Sequence, residues 1–278
     1  MKKREVMPKV FVFDIHGVLV RRETAKQFLH FLKQKAERDQ RIDLAWAGNV
    51  PALMNGLLYK HCPVCSFERC QYAGASEKVS HLATEVCAGA LSFEEMKVGI
   101  TKMLTHLVEC APSVRIILDY YAEFITQPAQ LVATTQTIPL GEQLLQHLHK
   151  SYGPESLFLL SNASTQLYKG YLTRFPHIFD TVPQEHVVLS SEVGSTKPGK
   201  DVFKLLLDRY NYQPEECFLI DDMQSNIEMA QLLGMQSVLF SEAETEEMKL
   251  FFARIGFTHK KEEESSPHAE QQKGNVYE

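Results

Sequence analysis

Residues 10–19, VFVFDIHGVL, are the stretch on which the fold turns. Val10, Phe11, Val12 and Phe13 are β-branched or aromatic, and the run stops at Asp14, closely followed by Gly17. This pattern predicts a strand feeding a sharp turn. An unbroken apolar run, rather than strict alternation, suits a strand covered on both faces, as in the parallel sheet of an α/β protein. Such sheets bind ligands beyond the carboxyl ends of their strands, where Asp14 would stand. From these residues alone Asp14 reads equally well as a turn residue bonded to its own backbone.

Downstream, a βαβ alternation begins at Pro139. Helices are expected over 142–149, 166–175, 201–210 and 226–233, and short apolar strands over 157–160, 187–189, 217–220 and 237–240. Connections of a few residues favour right-handed crossovers into one parallel sheet, which the strand at 10–13 must join to bury its faces. Between the first strand and this region, residues 21–136 read as helical. Phe28, Phe31, Leu32 and Lys35 keep helical spacing, as do Leu53, Leu57 and Leu58. Ser92 with Glu95 forms a capping box ahead of Met96, Ile100, Met103, Leu104 and Leu107, and Pro112 suits a first helical position before 116–124. The expected organisation is an α/β core from 1–20 and 137–257, an all-α insertion at 21–136, and a polar, disordered tail at 258–278.

The 278 residues carry a formal net charge of -6, which provides no basic field for nucleic acid. No apolar run approaches the ~18 residues of a membrane span, and the N-terminal apolar stretch is too short for a signal peptide. Six cysteines without regular spacing fit free thiols in a reducing, cytoplasmic setting. Nothing in the sequence fixes the oligomeric state.

Polar residues follow the predicted strands in a telling order: Asp14; Ser161 and Asn162 after LFLL; Lys197 in GSTKPG; Asp221 and Asp222 after CFLI. A carboxylate can attack phosphorus to give an aspartyl-phosphate. Asp14, Asp221 and Asp222 offer the oxygen ligands a hard cation such as Mg²⁺ takes. Ser161 can donate to a phosphoryl oxygen at a helix N-terminus, and Lys197 can neutralise nucleophile and phosphoryl group.

This order resembles the haloacid dehalogenase-like (HAD) superfamily, subfamily I. Its first motif, Asp-x-Asp-Gly-(Thr/Val)-(Leu/Val), is met by Asp14 to Leu19 with one departure, and its second by Ser161 in LLSNAS. Its third is met by Lys197 in a Lys-Pro form, and its fourth by Asp221, Asp222 and Asn226 in LIDDMQSN. The resemblance implies a Rossmann-like core, a helical C1 cap at the insertion, and Mg²⁺ held by Asp14, Asp222, the backbone carbonyl of His16, and Asp221 as a second or outer ligand. Asn226 would orient that loop. It further implies catalytic Asp14, His16 and Lys197, substrate binding by Ser161 and Asn162, and a small phosphorylated metabolite as substrate.

The departure is His16, where the family's phosphatases carry a second acid that protonates the leaving group and then activates water. His can do both near neutral pH, with an ordinary pKa of ~6.5. A neighbouring cation opposes imidazolium, so esters with good leaving groups should be favoured. Three readings stay open: a phosphatase with His16 as acid and base, a catalytically impaired module that binds a phospho-ligand or a protein, or carbon–halogen cleavage. The family's dehalogenases carry Tyr here and work without metal, so the paired Asp221 and Asp222 speak against the last.

His61, Cys62, Cys65 and Cys70, with His81 or Cys87, offer zinc-ligand types but lack a second Cys-x-x-Cys. Trp46, Tyr120 and Tyr121 fit a substrate pocket or simply a helical core. Arg21 and Arg22 could meet a substrate anion or stand in solvent.

Overall fold

The computed structural model of the chain describes residues 7–22, 24–40, 42, 85–107 and 112–259. His61, Cys62, Cys65, Cys70, His81, Trp46, the Leu53–Leu58 pattern and residues 260–278 lie outside them.

Five parallel strands form the central sheet in the order β5-β4-β1-β6-β7: β1 (Val10–Phe13), β4 (Leu157–Ser161), β5 (Val187–Leu189), β6 (Cys217–Asp221) and β7 (Gln236–Leu239). All four residues of β1 are buried at 1% exposure or less, so the strand is covered on both faces. On one face Phe11, Phe13, Leu157, Leu159, Phe218 and Ile220 join the larger hydrophobic cluster. On the other, Val10, Val12, Phe158, Leu160, Val188 and Leu219 form a second. The period of two along each strand sends alternate residues to opposite layers, which is why the run is continuously apolar.

The helices follow the predicted alternation with small shifts at their ends: α5 (Pro139–Tyr152), α6 (Thr165–Arg174), α9 (Lys200–Tyr210) and α10 (Gln224–Leu232). The Ser164 hydroxyl accepts from Leu167 N at 3.3 Å and caps α6. Shorter helices α7 (Pro176–Phe179) and α8 (Ser190–Val193) flank β5, and α11 (Glu246–Ile255) closes the described chain. Met248, Phe251, Phe252 and Ile255 of α11 keep helical spacing and are buried in the larger cluster.

Between β1 and the βαβ region stand α1 (Thr24–Ala36), α2 (Phe93–Leu107), α3 (Pro112–Ile125) and α4 (Pro128–Ala133). The Ser92–Glu95 capping box forms: Glu95 accepts from Ser92 N at 2.7 Å, and Glu95 N donates to Ser92 Oγ at 3.2 Å. Tyr121 meets the Phe28 ring edge-on at 5.1 Å, and the Tyr120 hydroxyl donates to Asp39 at 2.9 Å, so both help pack α1 against α3. One feature differs from the all-helical expectation for 21–136. β2 (Val20–Arg22) and β3 (Thr135–Thr137) pair antiparallel, with Val20 opposite Thr137 and Arg22 opposite Thr135. This ribbon joins the helical region to the core at both ends. VRR and TQT are too short and too polar to show a strand period.

Candidate active site

The sheet order explains how residues far apart in sequence meet. β1 is the middle strand, and Asp14 at its end stands between Ser161, which ends β4, and Asp221, which ends β6. Asp14 N donates to Ile220 O at 2.9 Å, continuing the ladder one residue past the strand.

Lys197 enters from the loop between α8 and α9. Its Nζ lies 2.6 Å from Asp221 Oδ2 and 3.0 Å from Asp14 Oδ1, with all three side chains nearly or fully buried. Burial works against the Lys197 ammonium, but Asp14 and Asp221 outweigh it and hold its pKa above the ordinary value. Asp221 is saturated: Oδ1 also accepts from Met223 N at 2.9 Å and from Asn226 Nδ2 at 2.8 Å. Burial pushes the Asp14 carboxyl up to about 6, with Lys197 pulling it down and Asp221 pushing it up. Its Oδ1 accepts from Ile15 N at 2.7 Å as well as facing Lys197, and Oδ2 has no such contact among the described residues.

Asp222 is the exposed acid of the group. Burial, then the Asp221 charge, raises its pKa. Gly17, at φ +81°, is the residue that makes room for it, because a Cβ there would lie 2.0 Å from Asp222 Oδ2. Asp14, Asp221 and Asp222 bring carboxylate oxygens within 4.8 Å of one another, a donor set that fits a hard divalent cation.

The Ser161 hydroxyl is buried, at 1% exposure, and has no hydrogen-bond partner among the described residues. Asn162, expected to bind substrate, grips the Lys197 backbone. Its Nδ2 donates to Lys197 O and its Oδ1 accepts from Lys197 N, both at 2.8 Å. The side-chain amide therefore positions the lysine loop.

His16 lies beside this cluster, and its Nε2 is 2.6 Å from the hydroxyl of Tyr171 on α6. Burial, followed by the charges of Arg22 and Lys197, lowers its pKa well below the ordinary value, so the imidazole is neutral near pH 7. Tyr171 is fully buried, and burial, chiefly, raises the pKa of its hydroxyl, with Thr135 among the groups that act on it. Gly170 lets α6 close on α4, since a Cβ there would lie 2.5 Å from Val132 Cγ2.

A family model described as haloacid dehalogenase-like hydrolase matches residues 8–234. The chain belongs to the haloacid dehalogenase-like hydrolases. Its relatives are distant. A mouse protein, acyl-CoA dehydrogenase family member 10, is 28% identical over 123 residues, 44% of this chain and only 11% of that protein's length. A HAD family enzyme of Bacteroides thetaiotaomicron superposes with a TM-score of 0.56 at 19% identity, over 88% of this chain and 99% of that one. The same enzyme has been solved in complex with magnesium and inorganic phosphate. A predicted HAD-like family hydrolase of Porphyromonas gingivalis gives a TM-score of 0.53 at 16% identity, over 91% of this chain and all of that one (100%). At such identities the likeness to solved structures is one of fold.

In this HAD-like hydrolase, Tyr171 and Thr135 are the site neighbours that sequence patterns do not single out. Tyr171 is 155 residues from His16 and reads locally as one more aromatic on an amphipathic helix. Arg21 turns outward, donating to both oxygens of Glu242 at 2.6 and 2.8 Å. Among the described residues no helix is long and apolar enough to cross a membrane.

Proposed function

We propose that the chain is a Mg²⁺-dependent phosphomonoesterase acting on a small phosphorylated metabolite through an aspartyl-phosphate at Asp14. The observation that carries this reading is the Ser161 hydroxyl, buried and unpartnered one strand away from Asp14. Leaving a buried hydroxyl unpaired costs about 1–3 kcal/mol, a cost a phosphoryl oxygen would remove. The magnesium and phosphate complex of the Bacteroides enzyme supports the same chemistry.

Asp14 and Asp222 would hold the cation directly, with the backbone carbonyl of His16; Asp221, already saturated, would act as an outer ligand. The cation would supply charge neutralisation between the two anions that must meet. Asp14 attacks phosphorus, the bond to the leaving oxygen breaks, and Lys197 and Ser161 carry the charge of the phosphoryl oxygens. Water then attacks the phosphorus, the bond to Asp14 breaks, and phosphate leaves with the carboxylate restored. A neutral His16 can take the proton from that water. It is less able to give one to the departing oxygen, so aryl phosphates should outrun alkyl phosphates. The helices between β2 and β3 would form the cap over this site.

The test is phosphate release from 4-nitrophenyl phosphate and glycerol 3-phosphate, with and without Mg²⁺, by wild type, Asp14→Asn and His16→Asp. Mg²⁺-dependent release faster from the aryl ester, abolished in Asp14→Asn, is expected. The tie between His16 and Tyr171 favours one rival reading, a binding module with its proton-transfer residue withdrawn. No turnover by wild type, with turnover gained in His16→Asp, would establish that module instead.

A further inference from the structure

We propose that Arg22 recognises a second anionic group on the substrate, a carboxylate or a further phosphate, beside the phosphoryl group that Asp14 attacks. This inference rests on the phosphomonoester reading above and extends it to substrate class.

The two neighbouring arginines of β2 face opposite ways, as the period of a strand requires. Arg21 is exposed and clamped by Glu242. Arg22 is half-buried on the other side and has no ion-pair partner among the described residues. A guanidinium is always charged, and its planar fork of donors matches carboxylate and phosphate oxygens, so a half-buried one with no partner among the described residues is suited to an anionic ligand.

Its surroundings say where that ligand would lie. Arg22 stands opposite Thr135 in the ribbon. Side chains facing each other across such a pair start ~5 Å apart. Thr135 is fully buried, donates to Leu131 O at 2.8 Å and acts on the Tyr171 hydroxyl, which in turn is 2.6 Å from His16 Nε2. The Arg22 charge is felt at His16, Tyr171 and Cys87. Cys87 is itself held against the core, its carbonyl accepting from Ser190 Oγ at 2.5 Å. Two cations therefore act on His16: Lys197, which also meets Asp14 and Asp221, and Arg22, in the ribbon that leads to the helical region. A substrate with its phosphoryl group at Lys197 and Ser161 would carry its second anion toward Arg22.

The experiment compares glycerol 3-phosphate, 3-phosphoglycerate and propane-1,3-diyl bisphosphate. With Mg²⁺ present, kcat/KM is measured for wild type, Arg22→Gln and Arg22→Lys. Calorimetric Kd for the intact esters is measured on Asp14→Asn, alone and combined with each Arg22 change. A charge-assisted hydrogen bond to Arg predicts a preference of at least about tenfold for one or both anionic esters over glycerol 3-phosphate. That ratio should collapse toward one in Arg22→Gln and recover in part in Arg22→Lys. The ratio is internal to each protein, so loss of folded material does not change it. Whichever anionic ester is preferred distinguishes carboxylate from phosphate. Turnover of the esters without discrimination, or a ratio that survives Arg22→Gln, overturns the assignment to Arg22 and leaves the phosphatase reading standing. Discriminating binding without turnover supports Arg22 and overturns the phosphatase reading. Neither turnover nor binding overturns both.

Discussion

The Nε2 of His16 lies 2.6 Å from the hydroxyl of Tyr171, a contact made across 155 residues of sequence. A ring nitrogen held by a buried phenol fixes the imidazole plane, and with it the direction of the other nitrogen. Tyr171→Phe keeps the buried ring and removes only that hold. Turnover of 4-nitrophenyl phosphate should fall about tenfold, while the melting temperature moves by the few degrees that one net hydrogen bond of ~1 kcal/mol allows. Kinetics and thermal melts on one preparation check this; undiminished turnover would detach Tyr171 from the work of His16.

Ser161→Ala should separate stability from function. Its hydroxyl has no partner among the described residues, so its removal should leave the ligand-free protein as stable as wild type, or more so by up to about 1 kcal/mol. Phosphate affinity and kcat/KM should nevertheless fall by about tenfold or more. Urea titration beside phosphate binding is the measurement, and a marked loss of stability without loss of affinity would assign Ser161 a purely structural part.

Asp14 destabilises the cation-free fold above its own pKa. Burial, chiefly, has raised its carboxyl to about 6 in the folded chain. The unfolded value is ~3.9, so between the two the folded state holds a proton the unfolded state has lost. Stability therefore falls as pH rises from about 4 to about 6, and the penalty is complete above that. With chelator present, Asp14→Asn should gain stability relative to wild type as pH rises from about 4 to about 7.5, and that gain should vanish below about pH 4. Urea midpoints against pH test this; a difference between the two proteins that stays constant over that range would contradict it.

Gly17→Ala should damage the cation site rather than the sheet. The new methyl would fall 2.0 Å from Asp222 Oδ2, at a backbone φ of +81° that side chains rarely adopt. Asp222 must swing away, and the rise in melting temperature on adding Mg²⁺ should disappear. A wild-type response to Mg²⁺ would mean that Asp222 is not a ligand.

What the sequence made legible follows from the range of the interactions involved. The apolar run of Val10 to Phe13 and the acids, serine and lysine at strand ends could be read because each pattern is local and the sheet brings strand ends together by rule. The ribbon of β2 and β3 could not, since it is three residues a side and its partners are separated by the whole helical region. Asn162 could be read as a polar residue at a strand end, beside Ser161. Its bidentate grip on Lys197 depends on a loop that arrives 35 residues later. Tyr171 carried no signal at all, because an aromatic on a buried helix face looks the same whether or not its hydroxyl meets a histidine. Helix α11 did carry one, in the spacing of Met248, Phe251, Phe252 and Ile255 after the Thr245 cap, whose hydroxyl accepts from Met248 N at 3.2 Å.

The most direct test of the central claim is covalent trapping at Asp14. Wild-type protein mixed with Mg²⁺ and 4-nitrophenyl [³²P]phosphate is quenched in acid within one turnover, digested, and its labelled peptide sequenced by mass spectrometry. The peptide containing Asp14 should carry an acid-stable, hydroxylamine-labile phosphate that is absent from Asp14→Asn. Nitrophenol released by wild type with no phosphate on that peptide, or an equal label in Asp14→Asn, would contradict it.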